Sequence, residues 1–154
     1  LSVFDMQRDT FTGLEQVYFL GFQADPYRLL SRAKLFLLTS RWEGLPIALL
    51  EAMCLGKSIV LTDCSSAVRE IMLSSDEYID WAKRGEKIRT DYGYMLQKPE
   101  TTKNGINVNP WGRAVNSLLE DERQRRGCEF AAKAYARRHN ICIVEKNWKQ
   151  MFTR

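Results

Sequence analysis

The stretch from Leu35 to Leu55 constrains this chain more than any other. It reads as an apolar run Leu35-Phe36-Leu37-Leu38, a stop at Thr39-Ser40, the loop Arg41-Trp42-Glu43-Gly44-Leu45-Pro46, and a second apolar run from Ile47 to Leu55. Four consecutive apolar residues suit a strand covered on both faces, the mark of a parallel sheet. Strand, Gly/Pro loop and helix then follow in the order that α/β proteins use to hold phosphates. From Ile47 to Leu55 the residues are apolar all round, which predicts a buried helix. Glu51 breaks that rule. A carboxylate costs several kcal/mol to bury without partners, so Glu51 requires a partner or a ligand. Glu43 stands in the loop before it, and this pair of acids brackets the candidate active site.

The flanking sequence repeats the pattern. Val17-Tyr18-Phe19-Leu20, stopped by Gly21, reads as a buried strand. Asp25-Pro26 opens a helix to about Ala33, with Asp25 as N-cap and Pro26 at the first helical position. Gly56 closes the central helix, and Ser58–Thr62 reads as the next strand. Ser65 or Ser66 caps a short helix through Met72. Strand and helix thus alternate with short loops, which predicts a parallel, right-handed α/β sheet. Residues 74–90 are charged and read as a helical excursion on the surface. Tyr92–Leu96 reads as a fourth strand and 98–109 as a loop. Helices are expected from Asn109 to about Leu119, from Glu122 to about Arg138 with Asp121 as cap, and from Ile143 to Phe152.

Composition removes several classes of function. A chain of 154 residues with 45% hydrophobic and 27% charged residues is one domain's worth of ordinary globular sequence. A net charge of +4 is mild: it admits an anionic small ligand or an acidic membrane surface and does not demand nucleic acid. No apolar run approaches the roughly 20 residues of a membrane span. Cys54, Cys64, Cys128 and Cys142 form no C-x-x-C pair, and with His139 the single histidine, neither a metal site nor a Ser/Cys–His pair is expected. The cysteines read as free, buried thiols of a reducing compartment, hence a cytoplasmic location.

At the centre, a loop entering a helix N-terminus points backbone N–H groups into a crevice, where the helix dipole adds about half a positive charge. Gly44 lets the backbone approach a ligand, and Pro46 fixes the loop without removing a needed donor. A diphosphate at the helix start, with Glu51 accepting hydrogen bonds from ribose hydroxyls, is one coherent occupant. An ion pair between Glu51 and a basic residue is the other.

The segment Val17–Met72 closely resembles the retaining glycosyltransferases of family 4, which have the GT-B fold of two Rossmann-like domains facing a cleft. The resemblance rests on an E-x7-E pattern at Glu43 and Glu51 with the flanks Gly44, Pro46, Ala52, Met53 and Gly56. It implies that Glu51 holds the ribose of a nucleotide-diphosphate sugar and that Glu43 acts at the transferred sugar. The Gly44-Leu45-Pro46-Ile47 backbone would touch diphosphate and sugar, and Gly21-Phe22-Gln23 would border the base. It further implies a UDP-sugar donor, a glycan or lipid-linked acceptor in cell-surface polysaccharide assembly, no metal or other cofactor, and peripheral association with the inner face of the membrane. No counterpart of the family's basic pair or of its N-terminal acceptor domain is recognisable. The 154 residues are therefore expected to be a partial donor-binding domain, the C-terminal portion of an enzyme roughly twice as long or more, inactive alone.

Weaker signals stay open beside these. Arg41 fits a solvated charge or a phosphate contact, and Trp42 is expected to pack beneath the loop. Lys57 is expected to sit electrostatically at the C-terminus of the helix before it. Asp63 and Ser65-Ser66 could edge the cleft. The run Arg123, Arg125, Arg126, Lys133, Arg137, Arg138 reads as a solvated face diluted by Glu120, Asp121, Glu122 and Glu129, with RNA or anionic lipid as alternatives. At the level of function, a non-catalytic nucleotide-sugar-binding module and a basic nucleic-acid or membrane module remain the alternatives to a transferase.

Overall fold

The strand Ser58–Thr62 (β2) is buried at every position, and its side chains alternate between two cores. Ile59 and Leu61 enter one with Leu49, Met53, Val68, Ile71 and Met95; Val60 enters the other with Leu96, Trp111, Ala114 and Leu118. A strand that feeds a core on each face must lie between two layers of helices. In this computed structural model, which describes residues 17–74, 79–99, 101–102 and 105–139, that is the arrangement.

The elements run α1 (Tyr27–Arg32), β1 (Leu35–Leu38), α2 (Ile47–Cys54), β2, α3 (Ser66–Leu73), α4 (Trp81–Arg84), β3 (Lys87–Thr90) and β4 (Gly93–Leu96). A small hairpin follows, β5 (Thr101–Thr102) with β6 (Gly105–Ile106), and then α5 (Asn109–Glu120) and α6 (Glu122–Arg138). The main sheet has the order β1-β2-β4-β3. β1 pairs β2 in parallel, with Leu35 opposite Ser58, and β2 pairs β4 in parallel, with Ile59 opposite Gly93. Helices α2 and α3 cover one face, α5 covers the other, and α6 reaches both cores through Ala132 and Cys128. The chain is a three-layer, Rossmann-like α/β domain with a predominantly parallel sheet, as the alternating pattern predicted.

Local chemistry explains most boundaries. Ser65 Oγ accepts from Val68 N at 3.3 Å and Asp121 Oδ1 from Gln124 N at 2.8 Å, so α3 and α6 start where N-caps were expected. Asp25 Oδ1 accepts from Tyr27 N at 3.2 Å, the same service one residue ahead of the Pro26 cap position. Gly93 must be glycine: at φ +142°, a Cβ there would collide with the Ile59 carbonyl of the neighbouring strand.

Several expectations fail. Val17–Leu20 forms no strand, and all four side chains are exposed. An apolar run becomes a strand only where a neighbouring edge takes its backbone hydrogen bonds, and no described strand lies beyond β1. Among the described residues of 74–90, Trp81–Arg84 is the one helical turn; the end of the excursion, Lys87–Thr90, is β3, an antiparallel edge strand paired with β4. Lys-Ile-Arg-Thr alternates polar and apolar, the period of a strand with one face in water, and charge alone hid it. The loop 98–109 carries the β5–β6 hairpin. Helix α2 is buried at Leu49, Ala52 and Met53 but open at Ile47, Ala48 and Cys54, so its all-round apolar sequence overstates its burial. Cys128 is buried, whereas Cys54 is exposed; Cys142 and the expected helix Ile143–Phe152 lie outside the described residues.

Candidate functional site

Because β1, β2 and β4 run in parallel, the loops that leave them gather at one end of the sheet, where open α/β sheets hold ligands. These are Thr39–Pro46 after β1, Asp63–Ser65 after β2, and Gln97–Pro99 after β4. Their closeness shows at Cys64. Burial pushes this thiol up, the Glu43 carboxylate pushes it further, and the Lys98 ammonium pulls it partly back. Carboxylate, thiol and ammonium from three separate loops therefore share one electrostatic neighbourhood.

The two acids of the spaced pair are held by neutral partners. Ser40 Oγ donates to Glu43 Oε1 at 2.6 Å, and the Tyr27 hydroxyl donates to Glu51 Oε1 at 2.7 Å. Both carboxylates are half-buried. Among the described residues neither makes an ion pair, so the alternative in which Glu51 pairs with a base is not realised there. The Tyr27 phenol is in turn raised, first by its hydrogen bond to Glu51 and then by that carboxylate's charge.

Between the acids, no side chain caps α2. Ile47 N donates to Leu45 O at 2.9 Å and Leu49 N to Pro46 O at 3.0 Å, so of the first three N–H groups that of Ala48 is the one left for a ligand or water. Nothing stands within 4 Å of where a Cβ on Gly44 would be, so the backbone is open there. Pro46 is buried beneath the turn, while Leu45 and Ile47 project into solvent at 63% and 60% exposure. Trp42, expected under the loop, is 75% exposed instead. Among the described residues no helix or strand covers the loop after β1, so the ring has no described element to pack on.

Gly21-Phe22-Gln23 lies in the segment that leads to α1. Gly21 adopts φ +62°, Phe22 is fully solvated, and Gln23 Nε2 donates to Leu20 O at 2.6 Å. Among the described residues no hydrogen bond joins this turn to Glu43–Glu51; the link is indirect, through Tyr27. Asp63 is a different kind of acid. Its Oδ1 takes Arg69 Nη1 and its Oδ2 takes Trp81 Nε1, each at 2.9 Å, with the side chain 7% exposed. It ties β2 to α3 and α4 and is not free to edge a cleft. Lys57 also does something other than expected. Its ammonium donates to Ser31 O at 2.8 Å and Ala33 O at 3.0 Å, closing the C-terminus of α1 and not that of α2.

Tyr27, Ser40 and Lys98 are the members of this neighbourhood that sequence reading missed. A serine three residues before Glu43 is a usable signal, since such a hydroxyl can reach back within a loop. A tyrosine 24 positions before Glu51 carries none.

Comparison with known proteins adds an independent line. Residues 7–78 match the family model described as Glycosyl transferases group 1. That match supports placing the segment with this family, and it contains both acids. An uncharacterized glycosyltransferase of Methanocaldococcus jannaschii is 37% identical over 86 residues, covering 54% of this chain and 20% of that protein. Two Campylobacter jejuni enzymes align over more of the chain. The N,N'-diacetylbacillosaminyl-diphospho-undecaprenol alpha-1,3-N-acetylgalactosaminyltransferase is 29% identical over 138 residues, 90% of this chain and 31% of the enzyme. The N-acetylgalactosamine-N,N'-diacetylbacillosaminyl-diphospho-undecaprenol 4-alpha-N-acetylgalactosaminyltransferase is 26% identical over 123 residues, 80% of this chain and 28% of the enzyme. The chain thus spans between about a fifth and a third of the length of these relatives.

Proposed function

We propose that this chain is the donor-binding part of a retaining, GT-B-type glycosyltransferase that moves a sugar of hexose type from a nucleotide-diphosphate sugar to a lipid-linked glycan acceptor. The observation that carries this reading is the pair Glu43 and Glu51. They flank an uncapped helix N-terminus, and each rests on a hydroxyl that a sugar hydroxyl can replace. Glu51 exchanges the Tyr27 phenol for the ribose diol. The diphosphate lies at the N-terminus of α2, near the Ala48 N–H, where the partial charge of the helix stabilises it as it departs. Glu43 turns from Ser40 to the transferred sugar at the reacting carbon. The Gly44–Ile47 backbone lies along diphosphate and sugar, and Gly21–Gln23 borders the base.

The acceptor site belongs to sequence outside this chain, consistent with the share of the relatives that it spans. Both Campylobacter enzymes carry names that specify diphospho-undecaprenol-linked acceptors, which favours an acceptor of that class and a cytoplasmic enzyme working at a membrane face. The donor site works without a metal ion in this reading, α2 taking the place of a divalent cation.

Calorimetric titration with UDP, GDP and ADP, each with and without magnesium, tests it. Saturable, magnesium-independent binding of one nucleotide, with UDP favoured, and its loss in Glu51→Ala is the expected result. Equal binding by wild type and Glu51→Ala, or a strict magnesium requirement, would refute the assignment.

A further inference from the structure

The helix α6 turns one face to solvent along its whole length, and that face has a composition that helical geometry makes legible. At 100° per residue, Arg123, Phe130 and Arg137 recur at heptad spacing and line up as one crest. Arg126 and Arg138 flank the crest on either side. Gly127 and Ala134 lie beside it and leave its aromatic ring unshielded. The acids that dilute this run in sequence are elsewhere on the helix. Glu122 sits toward one flank and binds Arg126 at 2.6 Å, and Glu129 turns inward toward Arg125. Arg125 itself is not part of the face, since its Nη1 donates to Leu118 O and Leu119 O and closes the C-terminus of α5.

Two properties of the crest go together. Arg123, Arg137 and Arg138 are exposed and make no ion pair among the described residues. Phe130, set among them, is 77% exposed, with its ring presented to water. Phe130 differs from exposed rings such as Phe22 and Trp42 in standing on a long helix among exposed arginines, and it is unfavourable in water by the area it exposes. Arginines around one projecting aromatic ring are the features of an interfacial helix. The ring enters the boundary between headgroups and acyl chains, and the guanidinium groups reach the phosphates around it. Arg123 also borders a cavity of about 660 Å³ shared with Arg89, Asp91 and Asp121, so the strongest net positive charge lies toward Phe130, Arg137 and Arg138.

We infer that the outer face of α6 docks this domain onto an anionic phospholipid surface, with Phe130 as the apolar anchor and Arg123, Arg137 and Arg138 as the phosphate contacts. Charge complementarity selects an anionic over a neutral bilayer. The crest offers a single ring, and the cavity beside it holds Asp91 and Asp121 against Arg89 and Arg123 with no aromatic lining. That selects a bilayer over a nucleic acid strand, which needs stacking platforms along a basic channel.

Flotation of the 154-residue chain with vesicles tests this. The chain should float with vesicles of mixed phosphatidylglycerol and phosphatidylcholine, stay behind with phosphatidylcholine alone, and be released by high salt. The pair Arg123→Glu with Arg137→Glu should weaken binding by roughly tenfold or more, and Phe130→Ser by roughly tenfold. The pair Lys34→Glu with Arg84→Glu changes net charge equally on other elements and should leave binding within roughly twofold. Every altered position is exposed, so circular dichroism should show unchanged folding. Failure to float with anionic vesicles overturns the inference, as does wild-type floating by the crest variants, or equal loss in Lys34→Glu with Arg84→Glu. Displacement from vesicles by a single-stranded RNA at lower concentration than lipid would assign the face to nucleic acid instead.

Discussion

The ends of two neighbouring strands hold their acids in opposite ways. After β2, Asp63 is locked between a guanidinium and an indole N–H, with 7% of its side chain exposed. After β1, Glu43 in the loop and Glu51 in the helix that follows rest on single neutral hydroxyls and are half-buried. An ion pair inside the protein satisfies the charge and fixes the geometry, but it leaves nothing for a ligand. A carboxylate held by a hydroxyl is already bonded to the functional group that a sugar presents, so exchange costs little. Position at the C-terminal end of a parallel strand therefore does not make an acid functional. Under the proposed function, the character of its partner decides whether it is available to a ligand.

The largest effect that separates the two kinds of acid is on stability. Asp63→Ala leaves Arg69 and the Trp81 N–H without their acceptor in a largely buried place; Arg69 Nε already lacks one. Breaking one partner from such a pair costs about 3–5 kcal/mol. Glu43→Gln and Glu51→Gln keep a hydrogen-bond acceptor at an open position and should change stability by no more than about 0.5 kcal/mol. Urea unfolding at constant m-value measures all three. A small cost for Asp63→Ala, or an equal cost for the glutamine variants, removes the distinction.

The reverse ordering should hold for ligand affinity. Charged hydrogen bonds to a sugar diol are worth about 1.5–3 kcal/mol, so Glu51→Gln should bind nucleotide some ten- to hundred-fold more weakly while folding normally. A milder variant sharpens the point. Tyr27→Phe removes the hydroxyl that occupies Glu51 in the free protein. If ribose displaces that phenol, the variant should fold normally and bind nucleotide at least as tightly as wild type, by up to roughly a few-fold. Weaker binding would show that Tyr27 orients Glu51 instead of holding its place.

How far this could be foreseen follows from the same contrast. The parallel strands and the caps at Ser65 and Asp121 were legible because each is a local pattern: an apolar run, or a short polar residue before a helix. Glu51 was legible because a carboxylate inside an apolar run contradicts its surroundings. Partners were not legible. Nothing in the chain between Tyr27 and Glu51, or between Lys57 and Ser31, announces a bond that only the folded topology creates. Asp63 is the instructive failure. Its position after a strand was visible, whereas the Arg69 and Trp81 that consume it lie six and 18 residues on. Strand β3 was hidden for another reason: its charges are those of an edge strand with one face in water, and they read as surface helix when taken without their alternation.

The smallest expected effect tests whether the loops after β1 and β2 share one neighbourhood. Cys64 is raised above the ordinary thiol value of about 9, first by burial and then by the Glu43 carboxylate. Glu43→Gln removes the second cause and not the first, so the thiol should fall part of the way back. At mildly alkaline pH its reaction with a thiol reagent should then quicken, measured in a chain whose other cysteines are serine. The sign for stability follows the same shift. A thiol raised on folding contributes stability that is present in full below about pH 9 and lost as pH climbs through the folded value. The buried Cys128 thiol, also raised by burial, adds to that alkaline loss, and Glu43→Gln should reduce only the Cys64 share. A reaction rate that ignores residue 43 would mean that Glu43 points away from β2, and the two acids would then not face a common ligand.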